Sequence, residues 1–145
     1  MPTAEVSRRM LPSHANPAGT VFGGEMLAQC DEAAGIAASR HARARVATAK
    51  VDAMEFLEPV MIGDVLTCKA AVNAVFGSSM EVGVRVEAEN TLTGDVRHAS
   101  SAYFVMVALD EDGEPFDVDD LEPSDDDSKR RHREANERQQ ARKPN

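Results

Sequence analysis

Alternating apolar and polar residues predict β-strands along much of this chain. The clearest pattern lies within residues 80–89, where five apolar positions alternate with charged residues or glycine. That period of two matches the two faces of a half-buried strand. Weaker patterns of the same kind predict strands at 46–56, 66–74 and 96–108, and a short first strand at 3–10. Short glycine-containing segments at 63–64, 77–79 and 93–95 predict the turns between the later strands.

A long helix is predicted from about Gly24 to Arg40, because a glycine pair is followed there by a run of mostly small apolar residues. Gly35 within it is unfavourable by about 1 kcal/mol relative to alanine. This cost indicates that another backbone or a ligand lies close to that position. One helix followed by four strands joined by tight turns predicts an α+β fold, whose antiparallel sheet is covered on one face.

The chain divides into a folded domain at 1–118 and a charged tail at 119–145. The tail is rich in polar residues and offers little that could bury apolar surface. Residues 128–142 have fair helix propensity but no apolar face. We therefore expect the tail to be disordered or to form only a transient helix.

Composition narrows the class of protein. A chain of 145 residues with 42% apolar content suits one domain with a real core. The net charge of −9 argues against nucleic-acid binding by the folded part. The sequence shows neither a secretory signal nor an apolar run long enough for a membrane span. Cys30 and Cys68 form no CxxC pair and are interpreted as buried, inert thiols, so a cytoplasmic location is expected.

The chemistry is concentrated at the start of the predicted helix. The first turn of a helix carries backbone N–H groups without intrahelical partners, and the positive end of the helix dipole favours polarised oxygen there. Asp31 follows Gly24 by seven residues and lies on the same face, two turns along. Burying a carboxylate is costly unless it is paired or useful. The alternative interpretation is that Asp31 is a surface acid at the border of the apolar face. The stripe of apolar and small residues around Asp31 comprises Leu27, Ala28, Cys30, Ala34 and Ala38.

Other polar residues permit both a structural and a functional interpretation. Asn16, in a loop before Pro17, either caps its own turn or binds a water or carbonyl. Arg85 and Arg97 either pair with nearby acids or bind phosphates, which the arginine fork fits. The remaining histidines, His41, His98 and His132, show no metal-ligand spacing, so no metal is expected.

A series of motifs then gives a family resemblance. Residues 14–24 read His-Ala-Asn-Pro-Ala-Gly-Thr-Val-Phe-Gly-Gly, followed by Leu27 and Asp31. Further blocks follow in order at 56–60, 63–64, 77–82 and 103–113. Together they resemble hotdog-fold acyl-CoA thioesterases, specifically the acyl-CoA hydrolase family that includes brain acyl-CoA hydrolase and its single-domain bacterial relatives. The resemblance covers about residues 5–118. Gln29 and Cys30 depart from it, since relatives often carry a larger residue there.

The resemblance implies a hotdog fold, in which one long central helix is wrapped by a curved antiparallel sheet. It also implies hydrolysis of fatty acyl-CoA thioesters to free acid and coenzyme A, within fatty acid metabolism. Asn16 and Asp31 would be catalytic, with Asp31 as general base or nucleophile, and the amides of Gly23 and Gly24 would form the oxyanion hole. The expected substrate- and coenzyme A-binding residues are His14, Phe22, Gly77, Ser78, Ser79, Arg85 and Arg97.

The same resemblance implies a homo-oligomer. In the family each site lies at a dimer interface and takes its asparagine from one chain and its aspartate from the other. Relatives commonly assemble as a trimer of dimers, so a hexamer is expected. No cofactor is expected beyond the coenzyme A of the substrate.

Two other functions remain open at this stage. A hotdog dehydratase or hydratase would favour a catalytic histidine on the helix or its loop, where this chain carries Asp31. A non-catalytic acyl-CoA sensor would keep the pocket for regulation. Such a sensor would normally carry a DNA-binding segment, and the basic part of the tail is the only candidate in this sequence.

Overall fold

The computed structural model describes residues 3–142, and its elements follow the predicted order along the chain. A single 3-10 turn at Pro12–His14 lies in the loop before the long helix. That helix begins one residue before the predicted start and ends two residues after the predicted end. The elements are β1 (Thr3–Arg9), α1 (Gly23–Ala42), β2 (Arg45–Phe56), β3 (Val65–Phe76), β4 (Ser79–Glu89), β5 (Val96–Leu109) and α2 (Asp126–Arg142).

The five strands form one curved antiparallel sheet in the order β1-β3-β4-β5-β2, with α1 packed across one face. This architecture confirms the predicted α+β hotdog fold. Small residues on α1, such as Ala33 and Ala37, are fully buried and let the helix approach the sheet closely. The opposing sheet residues include Leu66, Val82 and Phe104, all fully buried, as the alternation predicted for these strands.

The buried face of α1 differs from the predicted one. Leu27 and Ala28 are exposed, whereas Met26 and Gln29 are buried. Gln29 can be buried because its Nε2 donates hydrogen bonds to the backbone carbonyls of Val6 (3.0 Å) and Leu66 (2.8 Å). A polar residue thus replaces an apolar one in the core, and the helix turns its Leu27 side outward.

The expected neighbour of Gly35 is absent from the described part of the chain. No atom lies within 4 Å of where a Cβ would stand at this glycine. Together with Leu27, Ala28 and the half-buried Asp31, it lies on a side of α1 that residues 3–142 leave partly uncovered.

Strand β2 is an edge strand with two register irregularities against β5, so its alternation is not the simple one predicted. Thr48 lies opposite Met106, but Lys50 already lies opposite Val105, and the extra residue is Ala49. This bulge changes which face each side chain meets. Thr48, predicted for the polar face, therefore turns to the same side as α1.

The tail also differs from its prediction, because residues 126–142 form helix α2 rather than a disordered segment. Its start is a reciprocal cap: the Asp125 carboxylate accepts from the Ser128 N–H (2.7 Å), and the Ser128 hydroxyl accepts from the Asp125 N–H (3.1 Å). These hydrogen bonds hold the pKa of Asp125 below its ordinary value. This helix has no stripe of large apolar residues, and it is held instead mainly by charge.

The anchor of α2 is Glu81 on β4, whose side chain is fully buried. Arg138 donates to both of its carboxylate oxygens (2.8 Å each), and Arg142 Nη2 donates to Oε1 (2.7 Å). Arg142 Nε also donates to Asp52 on β2 (2.8 Å), and the Arg138 guanidinium lies 3.8 Å from the ring centre of Tyr103. Helix α2 therefore covers part of the sheet face opposite α1, which the prediction had left open.

Cys30 and Cys68 are free, fully buried thiols that join α1 to β3 with their sulfurs 3.7 Å apart. A hydrogen bond with Cys30, reinforced by burial, raises the pKa of the Cys68 thiol far above its ordinary value. Such a thiol forms little of the reactive thiolate. Both cysteines therefore act here as packing residues, as the sequence indicated.

Within residues 3–142, neither helix is long and apolar enough to cross a membrane.

Candidate active site

The first turn of α1 presents two backbone N–H groups without a protein acceptor. The helix begins at Gly23, after Phe22 in extended conformation, and the Phe22 side chain makes no capping hydrogen bond. The N–H of Phe22 donates to His14 O (2.9 Å) and that of Glu25 to Phe22 O (3.0 Å). Among residues 3–142 the amides of Gly23 and Gly24 have no hydrogen-bond acceptor. They can receive a polarised oxygen, as the sequence predicted for this helix start.

Two aromatic rings explain why glycine is required at this start. A Cβ at Gly24 would lie 2.3 Å from the ring of Phe22, and one at Gly23 would lie 3.1 Å from the ring of Phe56. Side chains larger than glycine would push these rings away. Phe22 and Phe56 are themselves 51% and 58% exposed, so an exposed aromatic surface flanks the two amides.

A mainly apolar cavity of ≈ 340 Å³ opens beside the same helix turn. Its walls come from α1 and from the segment after β2, and they include Met26, Phe56, Leu57 and Val60. It is wide enough for an alkyl chain and offers few polar groups that would need to be desolvated.

The loop before α1 is tied by Asn16. Its Oδ1 accepts from the N–H groups of Ala18 (3.0 Å) and Thr20 (3.1 Å), and its Nδ2 donates to Thr20 Oγ1 (2.9 Å). The carboxamide thus shapes its own turn within one chain. One Nδ2 hydrogen still has no partner among residues 3–142.

His14 holds the other end of this loop. Its Nδ1 accepts from the Leu11 N–H (2.9 Å), and its Nε2 lies 3.8 Å from Glu25 Oε1 on α1. Its backbone carbonyl receives the Phe22 N–H. The contacts of His14 in this chain place the loop against the helix start.

Asp31 meets Thr48 at the edge of the sheet. The Thr48 hydroxyl donates to Asp31 Oδ1 at 2.5 Å, which leaves Oδ2 free to point elsewhere. Thr48 was missed by the sequence reasoning, since strict alternation placed it on the opposite face of β2. The bulge at Ala49 brings it to Asp31, and nothing in the local pattern of alternation marks that bulge.

Asp31 lies two turns along α1 from the amides of Gly23 and Gly24. The seven residues from Gly24 to Asp31 span about 10 Å along a helix axis, and the aspartate side chain leans toward the helix start by only two bonds beyond Cβ. Within one chain the acid and the two amides therefore lie on the same helix without touching.

The remaining predicted binding residues lie in three other places, the first two of which are the β3–β4 turn and the start of β5. Gly77, Ser78 and Ser79 form the β3–β4 turn, with φ +66° at Gly77 and a hydrogen bond from Ser79 Oγ to Phe76 O (3.1 Å). Arg97 donates to the buried Asp64 (2.9 Å) and so holds the turn before β3. Arg97 also lies 3.5 Å from the backbone carbonyl of Pro59, a residue that lines the cavity beside the start of α1.

Arg85 lies on β4, on the sheet face that α2 partly covers, and pairs with Glu87 at 3.5 Å. Lys69 pairs with the same carboxylate at 2.7 Å, which agrees with the structural interpretation of Arg85. Hydrogen bonds from Lys69 hold the pKa of Glu87 below its ordinary value. Among residues 3–142, no three metal-ligating side chains cluster so that they could hold an ion.

The curved sheet wrapped around α1 defines a hotdog protein, and comparison with known families agrees. The model of the Thioesterase superfamily matches residues 18–94. The chain therefore belongs to the Thioesterase superfamily.

Several of its curated relatives are named acyl-CoA thioesterases or thioester hydrolases. It is 40% identical to mouse acyl-coenzyme A thioesterase 11 over 134 residues, 92% of this chain but 23% of that protein. It is 35% identical to the uncharacterized acyl-CoA thioester hydrolase YkhA of Bacillus subtilis over 135 residues, 93% of this chain and 78% of that protein. This chain thus spans about a quarter of the mouse relative and most of the bacterial one.

Solved structures of acyl-CoA thioesterases and hydrolases superpose closely on this chain. An apo-hexameric acyl-CoA thioesterase superposes with a TM-score of 0.92 at 37% identity, covering 97% of this chain and 90% of that one. The Staphylococcus aureus acyl-CoA hydrolase, solved with butyryl coenzyme A, coenzyme A and coenzyme A disulfide, superposes with a TM-score of 0.89 at 36% identity. That comparison covers 97% of this chain and 85% of the S. aureus chain.

Structures of three alanine variants of the S. aureus enzyme have been solved, in which one asparagine, one aspartate or one threonine is replaced. In that chain the aspartate follows the asparagine by 15 residues, and the threonine follows the aspartate by 17. The same intervals separate Asn16 from Asp31 and Asp31 from Thr48 in this chain.

Proposed function

We propose that this protein hydrolyses fatty acyl-CoA thioesters to free acid and coenzyme A. The observation that carries the proposal is the hydrogen bond from Thr48 to Asp31. Asp31 lies on α1, and the first two amides of that helix have no hydrogen-bond acceptor among residues 3–142. The recurrence of the Asn–Asp–Thr spacing in an acyl-CoA hydrolase supports it. So do relatives that are named for acyl-CoA hydrolysis.

The helix start would bind the reacting oxygen. As the carbonyl carbon becomes tetrahedral, negative charge grows on its oxygen, and the amides of Gly23 and Gly24 would donate to it. Losing one such donor typically costs about 2.7–4 kcal/mol in the barrier. The apolar cavity beside these amides would take the acyl chain, and the exposed ring of Phe22 would border it.

Asp31 would supply the nucleophile in one of two ways. As a general base it takes a proton from water, and the resulting oxygen attacks the carbonyl carbon. As a nucleophile its free Oδ2 attacks directly and forms a mixed anhydride, which water then cleaves. In both routes the carbon–sulfur bond breaks, coenzyme A leaves as a thiolate and then takes a proton. Thr48 fixes Oδ1 and so directs Oδ2 toward the substrate.

We propose that each active site is shared between two copies of the chain. The separation of about 10 Å between Gly24 and Asp31 along α1 favours sites whose two parts come from different copies. Asn16 and the helix start of one copy would face Asp31 and Thr48 of another. The uncovered side of α1 at Leu27, Ala28 and Gly35, together with the β2 edge, is surface that such pairing would bury. A hexamer built from three dimers, like the hexameric structural neighbour, is the assembly that we propose.

The test of the function is an acyl-CoA panel assayed with a thiol-trapping dye. Wild type should release coenzyme A. The nearly isosteric Asp31→Asn should lose at least about a hundredfold in kcat while still binding coenzyme A.

Glu32→Gln is the matched control, since it neutralises the adjacent, exposed acid, whose only ion-pair partner among residues 3–142 is Arg8 at 3.4 Å. Its activity should stay near that of wild type. Thiol release that is equal in the Asp31 variant and wild type would refute the role of Asp31. Turnover of enoyl thioesters without thiol release would favour a hydratase, and binding without any turnover would favour a sensor.

A further inference from the structure

A second cavity lies on the sheet face opposite α1, between the strands and α2. It is an open groove of ≈ 910 Å³, larger than the one at the helix start. Its floor comes from the middle of β3, β4 and β5 and consists largely of small residues such as Ala71, Gly83 and Ala102. One wall is α2, the helix that the sequence pattern did not predict to be ordered.

The groove is strongly basic within an acidic protein. Two lining residues, Glu5 and Glu134, are acidic, while the chain as a whole carries a net charge of −9. The cations that line it are Arg40, Lys69, Arg85, Arg130, Arg131 and Arg138.

Four of these six cations are already paired with a carboxylate, Arg130 with Asp127 at 3.6 Å. Lys69 and Arg85 pair with Glu87, and Arg138 pairs with Glu81. The two without a carboxylate within 4 Å among residues 3–142 are Arg40, which donates to the backbone carbonyl of Thr3, and Arg131. The Nε of Arg131 is buried without an acceptor in this part of the chain. An unpaired, partly desolvated guanidinium is costly unless an anion completes it.

A second unsatisfied atom lies on the floor of the same groove. Asn73 is 1% exposed, and its Nδ2 donates to Glu81 (2.9 Å). Its Oδ1 is buried and has no donor among residues 3–142. A Cβ on Gly83 would come within 2.8 Å of the Asn73 amide nitrogen, so only glycine leaves the amide this room. A buried donor and a buried acceptor thus line one groove without partners, which is rare in folded proteins.

We propose that this groove binds a phosphate-bearing anion. Arg131 would donate from its terminal nitrogens to phosphate oxygens, a geometry that arginine fits well. Arg40, which also lines the groove and has no carboxylate within 4 Å among residues 3–142, would add charge. The site lies on the face of the sheet opposite Asp31 and does not depend on the proposed hydrolysis.

Isothermal titration calorimetry with inorganic pyrophosphate tests the site. We expect saturable binding to wild type and a Kd about tenfold higher in Arg131→Gln, the loss of one charge-assisted contact. Arg133→Gln is the matched control, because Arg133 is an exposed arginine on the same helix that does not line the groove. Its Kd should remain within about twofold of wild type.

A second variant tests the groove without altering α2, in case Arg131→Gln disrupts the docking of that helix. Ala71→Glu places a carboxylate on the floor and leaves every arginine in position, so it should repel pyrophosphate while circular dichroism stays that of wild type. Absence of saturable binding to wild type would overturn the proposal. So would equal weakening in the Arg131 and Arg133 variants, which would indicate general charge attraction only.

Inhibition kinetics identify the source of the phosphate. If coenzyme A itself occupies the groove, pyrophosphate will inhibit hydrolysis competitively against acyl-CoA. If a separate phosphate compound occupies it, pyrophosphate will bind without raising the KM for acyl-CoA. Calorimetry needs no turnover, so failure of the groove proposal is distinguishable from failure of the proposed hydrolysis.

Discussion

At the scale of single residues, the Thr48 hydroxyl decides how Asp31 is presented. It holds one carboxylate oxygen at 2.5 Å and leaves the other to act. Thr48 also lies 3.4 Å from the sulfur of Met106, so it bridges the edge acid to the core. We assign it a positioning role, since its hydroxyl serves Asp31 and not the substrate.

Replacing Thr48 tests that role. Thr48→Val keeps the shape but removes the donor, and we expect kcat to fall about tenfold to a hundredfold, the value of a hydrogen bond to a charged group. KM for acyl-CoA should change little, because the substrate loses no contact.

Thr48→Ser is the matched control, since it keeps the hydroxyl and should retain most of the activity. Steady-state kinetics and thermal unfolding of both variants separate positioning from stability. If the valine and serine variants lose activity equally, the hydroxyl is not the cause and the positioning role is wrong.

The residues also show what a sequence can reveal about a site. Gly23, Gly24 and Asp31 were predicted as site residues because a helix start and a helical repeat are local patterns, and their roles stay predictions. Thr48 was not predicted, because its contact with Asp31 depends on a bulge at Ala49 that only the pairing with β5 creates. The turn at 77–79 was predicted as a turn, and its part in binding coenzyme A remains a prediction.

At the scale of elements, α2 shows how a helix can be ordered without an apolar face. Its sequence gives no stripe of large apolar residues, so pattern analysis predicted disorder. The partners of its arginines lie on β4 and β2, 57 and 90 residues away, and no local signal carries that information. The fair helix propensity of residues 128–142 was the sign of this helix that the sequence analysis noted.

The docking of α2 should depend on pH through Glu81. Burial raises the pKa of Glu81, but hydrogen bonds from Arg138, Asn73 and Arg142 outweigh it, so the net pKa lies below its ordinary value. A carboxylate with a lowered pKa stabilises the fold above its unfolded value of about 4.3. That stabilisation is lost as the pH falls through the folded value. We therefore expect α2 to detach on acidification below about pH 4.

Glu81→Gln makes this measurable. At pH 7 it should lower the free energy of unfolding by about 3 kcal/mol, as for other broken buried pairs. The difference from wild type should shrink as the pH falls below about 4. Hydrogen exchange of residues 126–142 reports the docking directly.

Glu87→Gln is the control. Glu87 lies on β4 like Glu81, but its partners are exposed, so this variant should change stability little. A destabilisation by Glu81→Gln that is equally large at pH 3 and pH 7 would contradict the role of the ionised carboxylate.

At the scale of the whole molecule, a shared active site makes a distinctive prediction for mixtures. Asn16→Ala and Asp31→Asn should each be inactive alone. In a dimer of one copy of each, one site carries both defects and the other carries none. Refolding equal amounts together should therefore restore about a quarter of the wild-type activity.

The control for that mixture is Asp31→Asn refolded with Glu32→Gln. Half of the copies in this mixture carry an intact Asp31, and all copies carry an intact Asn16. About half of the wild-type activity is therefore expected whether each site lies within one chain or is shared between two. No recovery from the Asn16 and Asp31 mixture, with the control at its expected level, would show that each site lies within one chain.

The two-turn gap on α1 has a further consequence, for how activity responds to dilution. In the proposed arrangement a single chain holds both the amides of the helix start and Asp31, but these groups do not act on the same substrate molecule. Turnover per chain would then fall once the concentration drops below the dissociation constant of the pair, while the fold of each chain persists. The abundance of the protein in its compartment would thereby set not only how many sites exist but whether any exist at all.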